Sequence, residues 1–210
     1  VINEVKPPSL SGHVFLAKLI TQYAHIHERT VGKGARDYIR EIGLRTGEWL
    51  ERFYKDDQER WSVEKYADVI VDIKNSIGGH FRIVEVFPDH VVVRATACPF
   101  GDVVQDAPHL CMMTSSVFGG IAARQFGYSK VSLRERIALG DGGCEVAIYF
   151  SPASTEEGDE YKDLRITPHY GDPFNWEEET ISMLNEELRK SDTMIEMLLE
   201  ELEELKKERN

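Results

Sequence analysis

From Trp176 onward, aliphatic residues recur on a strict seven-residue repeat, and this pattern limits the C-terminal part of the chain more than any other feature limits the rest. Ile181, Leu188, Ile195 and Leu202 take the first core position; Leu184, Ser191, Leu198 and Leu205 take the second. A sustained repeat of 3.5 residues per turn is the signature of helices wound about one another, and Ile or Leu facing Leu favours two parallel strands. Four heptads make a helix of about 45 Å, longer than a small domain needs for its own packing. The expectation is a homodimer joined along Ile181, Leu184, Leu188, Ile195, Leu198, Leu202 and Leu205, with Ser191 a polar gap in the seam. The competing reading is an amphipathic helix packed on its own domain. The repeat is followed to Asn210 by no capping signal, and the expectation is an output domain downstream in a longer protein.

Charge separates this tail from the rest of the chain. The net charge is −12, and residues 171–210 hold 13 acidic and 5 basic side chains. An acidic tail disfavours a nucleic-acid surface, which needs clustered Lys and Arg. A hydrophobic fraction of 41% is enough for a real core. No apolar run is long enough to span a bilayer, and Val1–Pro8 lacks the order of a secretory signal. Three cysteines in 210 residues are too few for a disulfide scaffold, so reduced thiols and a cytoplasmic location are expected.

Apolar periodicity predicts three N-terminal helices. The first carries Val14, Phe15, Leu19, Ile20, Tyr23 and Ile26 and stops near Gly32; the second runs from Asp37 to Tyr54. The third opens at Ser62, follows Tyr66, Val69, Ile70, Ile73 and Ile77, and closes at Gly78-Gly79. The period then shifts to that of strands. Phe81–Phe87 and Val91–Ala97 form one hairpin about Pro88-Asp89-His90, and a helix follows from Pro108 to about Phe126. A second hairpin joins Val131–Ile137 to Cys144–Phe150 through a glycine-rich turn. The fold class is α+β: N-terminal helices, a four-stranded antiparallel sheet of two hairpins with an intervening helix, then the C-terminal coiled-coil helix. The expected divisions are a sensory ligand- or metal-binding domain over 10–150, an acidic linker over 151–174 and a signalling helix over 175–210.

The candidate chemistry lies in Cys98, Cys111 and Cys144, each at the end of a regular element. Soft thiolates select zinc, copper(I) or iron–sulfur clusters. Three of them leave a fourth position for His109, Asp141 or an external ligand. The alternative is that each cysteine is a small buried hydrophobe. Haem is less favoured, because no motif supports His80 or His13 as an axial ligand. No nucleophile elbow and no His-Glu-x-x-His pair is present, so hydrolase chemistry has no support.

The run Val91–Gly101, with Leu110-Cys111-Met112, Val117–Arg124, Phe126-Gly127-Tyr128 and Ile137–Cys144, resembles the methanogen output domain family. That family is similar to the 4-vinyl reductase domain, whose fold is shared with nitric-oxide sensors and Golgi transport proteins. The resemblance implies a sensory role over residues 10–150. In related phenol-sensing activators, cysteines and a carboxylate hold zinc, with matches at Cys111 and Cys144. Where those proteins have a further cysteine before the turn, this chain has Arg136 or Ile137. Zinc and an iron–sulfur cluster therefore both stay open, as does a small ligand. The leading expectation is a cytoplasmic signal-transduction sensor whose cysteine-bound centre responds to redox, gas or a small ligand. The rival is a metal-dependent reductase or accessory enzyme of the 4-vinyl reductase type.

Overall fold

A computed structural model describes residues 11–54, 60–162, 164 and 175–208, with side chains of the last helix described over 183–202. The chain divides into two units, residues 1–165 and 166–210.

In the first unit, helix α1 (Gly12–Val31) is capped by Ser11, whose hydroxyl accepts from the Val14 amide at 3.2 Å. A turn of 3₁₀ helix, Gly32–Gly34, leads into α2 (Ala35–Glu51), with Gly32 at φ +70° where an L side chain would be strained. Helix α3 (Val63–Ser76) is capped by Ser62, whose hydroxyl accepts from the Lys65 amide at 3.2 Å. Helix α4 (Cys111–Phe126) follows a short 3₁₀ turn at Pro108–Leu110.

The sheet has five strands, one more than the hairpin pattern predicts. Strands β1 (Phe81–Phe87), β2 (His90–Ala95), β3 (Tyr128–Glu135), β4 (Cys144–Tyr149) and β5 (Asp159–Lys162) lie in the order β1-β2-β4-β3-β5. Every pairing is antiparallel. The fifth strand comes from the acidic stretch read as linker. Its fully buried residue, Tyr161, sits among the α4 residues Ser115, Ser116 and Gly119. Gly119 is required there, since a Cβ would lie 2.2 Å from the Tyr161 ring. The Asp159 carboxylate accepts from Arg36 of α2 and the Glu160 main-chain carbonyl accepts from Arg40, so α2 side chains cap this edge strand.

Two contacts fix the helices over the sheet. Helix α2 meets α4 backbone to backbone: a Cβ on Gly43 would fall 2.6 Å from Ser116 Cβ, and one on Gly47 3.2 Å from the Val117 main chain. Beside them, buried Glu51 accepts from Arg124 Nε at 2.6 Å and from Gln125. Helix α3 delivers Tyr66, Val69, Ile70 and Ile73 into the core formed with Val91, Val93, Val146, Ile148, Phe118 and Ile121. At about 1.5–3 kcal/mol per large side chain removed from water, this cluster supplies the main driving force for the unit.

The second unit contains helix α5 (Asn175–Glu208). Leu188, Ile195, Leu198 and Leu202 of the heptad seam are each more than half exposed, while Leu184 is partly buried. The side chains of Ile181 and Leu205 lie outside the described residues.

Candidate functional site

The register of the sheet brings two of the cysteines together. In the β2–β4 pairing Ala95 stands opposite Cys144, so the residues just after β2, including Cys98, leave the sheet beside the start of β4. Cys111 is the first residue of α4. All three are free thiols of intermediate burial, and all three line one narrow pocket of about 30 Å³. Phe81, Phe100, Leu110, Leu133 and Val146 wall the pocket, and Thr114, Glu135 and Arg136 bring polar groups to it.

Burial pushes every thiol pKa upward. Cys111 is raised to about 11 by desolvation and then by the neighbouring Cys144 and Cys98 thiolates. Cys98 is raised by burial, against the Phe100 backbone hydrogen bond, which favours its thiolate. Cys144 is raised by burial too, against the Ile137 amide, which donates to its sulfur at 3.4 Å. Without an added positive charge the pocket therefore holds neutral thiols near pH 7.

Neither expected fourth ligand lines this pocket. His109 is turned toward α1, with Nδ1 3.3 Å from Glu28 Oε2. Asp141 closes the turn before β4: its Oδ2 accepts from the Arg136 amide at 2.7 Å. The carboxylate that does line the pocket is Glu135, whose Oε2 accepts from Arg94 Nη2 at 2.8 Å. Neither His13 nor His80 lines it. Among the described residues, no three His, Cys, Asp or Glu side chains are grouped closely enough to hold a metal ion. The donor chemistry suits a soft centre, and the spacing as it stands is wider than a single ion takes.

One group that sequence reasoning missed stands behind the pocket. Lys74, near the end of α3, is 3% exposed, and its Nζ donates to Thr114 Oγ1 at 2.8 Å. Phe118 and Phe81 present ring faces to it at 5.5 and 6.0 Å. Desolvation lowers its pKa to about 8, opposed by the fields of Cys98, Cys111 and Cys144. A signal was present: Lys74 continues the row Tyr66, Ile70 at four-residue spacing, on the apolar face of its helix.

Fold and site together define a class: an α+β domain with helices packed over an antiparallel sheet and three thiols gathered on one pocket at the sheet's end. The model of the family described as methanogen output domain 1 matches residues 45–149, half of the chain. The chain belongs to that family. Comparison with curated proteins finds no match. Among solved structures, it is similar to the phenol-responsive sensory domain of the transcription activator PoxR, determined with phenol. That likeness has a TM-score of 0.52 at 16% identity, over 67% of this chain and 75% of the other. A trafficking protein particle complex subunit 3 from Naegleria fowleri, covalently bound to palmitic acid, gives a TM-score of 0.47 at 14% identity. It covers 65% of this chain and 93% of that one. No helix among the described residues is long and apolar enough to cross a membrane.

Proposed function

We propose that this chain is a cytoplasmic sensory or regulatory domain whose signal is received at the Cys98–Cys111–Cys144 pocket and passed on through a dimer formed by α5. The observation that carries this reading is the gathering of all the chain's cysteines on one pocket from three separate elements. Structural thiols have no reason to gather in this way, whereas ligands to a shared centre do. The sensory fold of the PoxR domain and the family membership are in keeping with it.

Of the two centres that suit three thiols, we favour an iron–sulfur cluster. Zinc needs its sulfurs drawn to within about 2.3 Å of one point. A cluster gives each cysteine its own iron and so accepts more widely set sulfurs. Cys98, Cys111 and Cys144 would hold it, and when bound it would supply one-electron chemistry. The apolar walls would limit access of water to it. The exposed seam of α5 supports the dimer, since association of two copies covers Leu188, Ile195, Leu198 and Leu202. An output domain would follow α5.

Absorption spectroscopy with iron, sulfide and zinc analysis of anaerobically purified protein tests the reading. Broad visible absorption with iron and sulfide supports the cluster, and a colourless zinc protein moves the centre to the single-ion form. Protein without either would overturn the metal reading. Substrate turnover by the loaded protein would favour the reductase instead.

A further inference from the structure

Helix α1 keeps its large side chains for something outside its own domain. Ala17, Thr21 and Ala24 are buried against the first unit, while Phe15, Leu16, Leu19, Ile20, Tyr23 and Ile26 stand 40–64% exposed on the other side. At roughly 200 Å² for a large side chain, these six leave about 600 Å² of apolar surface in water. That is the upper end of what a folded monomer leaves uncovered, and close to the roughly 800 Å² that each side of a stable interface contributes. The spacing defines the shape that fits. Leu16, Leu19, Tyr23 and Ile26 fall three, four and three residues apart, the seam of a helix that pairs with another helix. On the buried side Ala24 joins the cluster of Val104 and Leu110, and both of those line the cysteine pocket. A single helix thus separates the exposed face from the pocket wall.

Charge narrows the partner. The chain has a net charge of −12, yet α1 holds Lys18 and Arg29 against one carboxylate, Glu28. Glu28 is turned to the domain side, with Oε2 3.3 Å from His109 Nδ1. The seam is flanked by Phe15, Gln22 and Arg29 on one side and by His13, Ile20 and His27 on the other, with no carboxylate among them. Acidic side chains on a partner helix therefore meet no like charge along this face, and they meet Arg29. A second copy would present a face of the same sign and bring its own net −12 with it. An anionic lipid surface recruits clusters of roughly four or more cations. Helix α1 has two, and Lys18 Nζ is already 3.7 Å from Asp106 Oδ2. We propose that the outward face of α1 is a docking surface for an acidic amphipathic helix of a partner protein. The inference does not depend on what the cysteine pocket holds.

The test sets the full native chain beside the double variant Leu19→Gln, Ile26→Gln. The probes are two synthetic helical peptides of about four heptads with leucine along the seam, one flanked by glutamate and the other by lysine. Affinity is read by fluorescence anisotropy, oligomeric state by sedimentation and folding by melting temperature. The native chain is expected to bind the glutamate peptide at micromolar concentration. The double variant should bind it roughly tenfold or more weakly, with its melting temperature unchanged because both side chains stand in water. The lysine peptide should show no difference between the two chains. Equal affinity of native chain and variant for the glutamate peptide would overturn the inference. So would a lysine peptide that loses as much as the glutamate peptide does. A lower melting temperature in the variant would mean that the face is packed within the chain itself. A variant that sediments as a smaller species would give the face to a second copy. Pelleting of native but not variant protein with vesicles of phosphatidylcholine and phosphatidylglycerol would give it to lipid. Each of these three results overturns the partner-helix assignment as well.

Discussion

Helices α1 and α3 carry similar apolar periodicity and open on similar serine caps, yet the first unit uses them in opposite ways. Helix α3 turns its large side chains inward: Tyr66, Val69, Ile70 and Ile73 are all buried. Helix α1 buries a row of small residues instead, Ala17, Thr21 and Ala24, spaced by four and three. Its large residues face out, with Phe15 at 55%, Tyr23 at 63% and Ile26 at 64% exposure. An apolar period thus establishes that a helix has a sticky face, and leaves open whether its own domain covers that face. Small residues at helical spacing let α1 approach closely without spending its large side chains on the domain.

The sharpest way to break this contrast is to truncate one tyrosine in each helix. Tyr66 lies edge-on to Phe126 and Phe150, and its hydroxyl donates to the Phe118 carbonyl at 3.0 Å. Tyr66→Ala is expected to cost about 3–5 kcal/mol in urea unfolding. Tyr23→Ala should change stability by no more than about 0.5 kcal/mol, because the ring stands mostly in water. Similar losses in the two variants would mean that the α1 face is packed after all.

Helix α5 extends the contrast to a periodic face that we assign to a second copy. Leu198→Ser is expected to weaken association by about 1.5–3 kcal/mol per chain, read by sedimentation. The acidic residues beside the seam, Glu187 and Glu201, repel across a parallel dimer, so added salt should tighten it. A chain ending near residue 172 should run as a monomer under the same conditions. A dimer from that shorter chain would shift the interface to the first unit, where the outward face of α1 is the leading surface.

The smallest effect belongs to the surface beside β3. Arg134 donates to Glu156 at 2.7 and 2.9 Å, Tyr149 donates to the same carboxylate, and together they hold its pKa down to about 2. A carboxyl depressed in the folded state stabilises the protein at pH values above its unfolded pKa, near 4.5. That contribution is lost as pH falls from about 4.5 toward 2. Both side chains are about one-third exposed, so the difference between native protein and Glu156→Gln should stay under about 1 kcal/mol in acid melts.

Much of this architecture is legible from periodicity alone. The four longer strands and the helices announce themselves because many residues in each share one burial pattern. Strand β5 stays hidden because four residues carry it, three of them charged, and its burial depends on Gly119 making room for Tyr161. The cysteines could be chosen by residue type. That Cys98 and Cys144 line one pocket depends on β2 lying beside β4, a nonlocal pairing that no local pattern specifies. For the same reason His109 and Asp141 were reasonable fourth-ligand candidates by spacing. The fold turns one toward Glu28 and ties the other to the Arg136 amide. Lys74 shows the opposite case, a residue whose place on an apolar helical row carried the signal before the fold was known.

The central claim is that three thiols from three elements serve one centre, and it is tested most directly by metal content in the single variants Cys98→Ser, Cys111→Ser and Cys144→Ser. Each is purified anaerobically beside the native chain, with iron, sulfide and zinc counted per folded chain. The account predicts that all three substitutions lower occupancy sharply and to a similar degree, while the metal-free melting temperatures stay close to native. Full occupancy in any one of the three would contradict it, because that cysteine would then stand at the pocket without holding what the pocket binds.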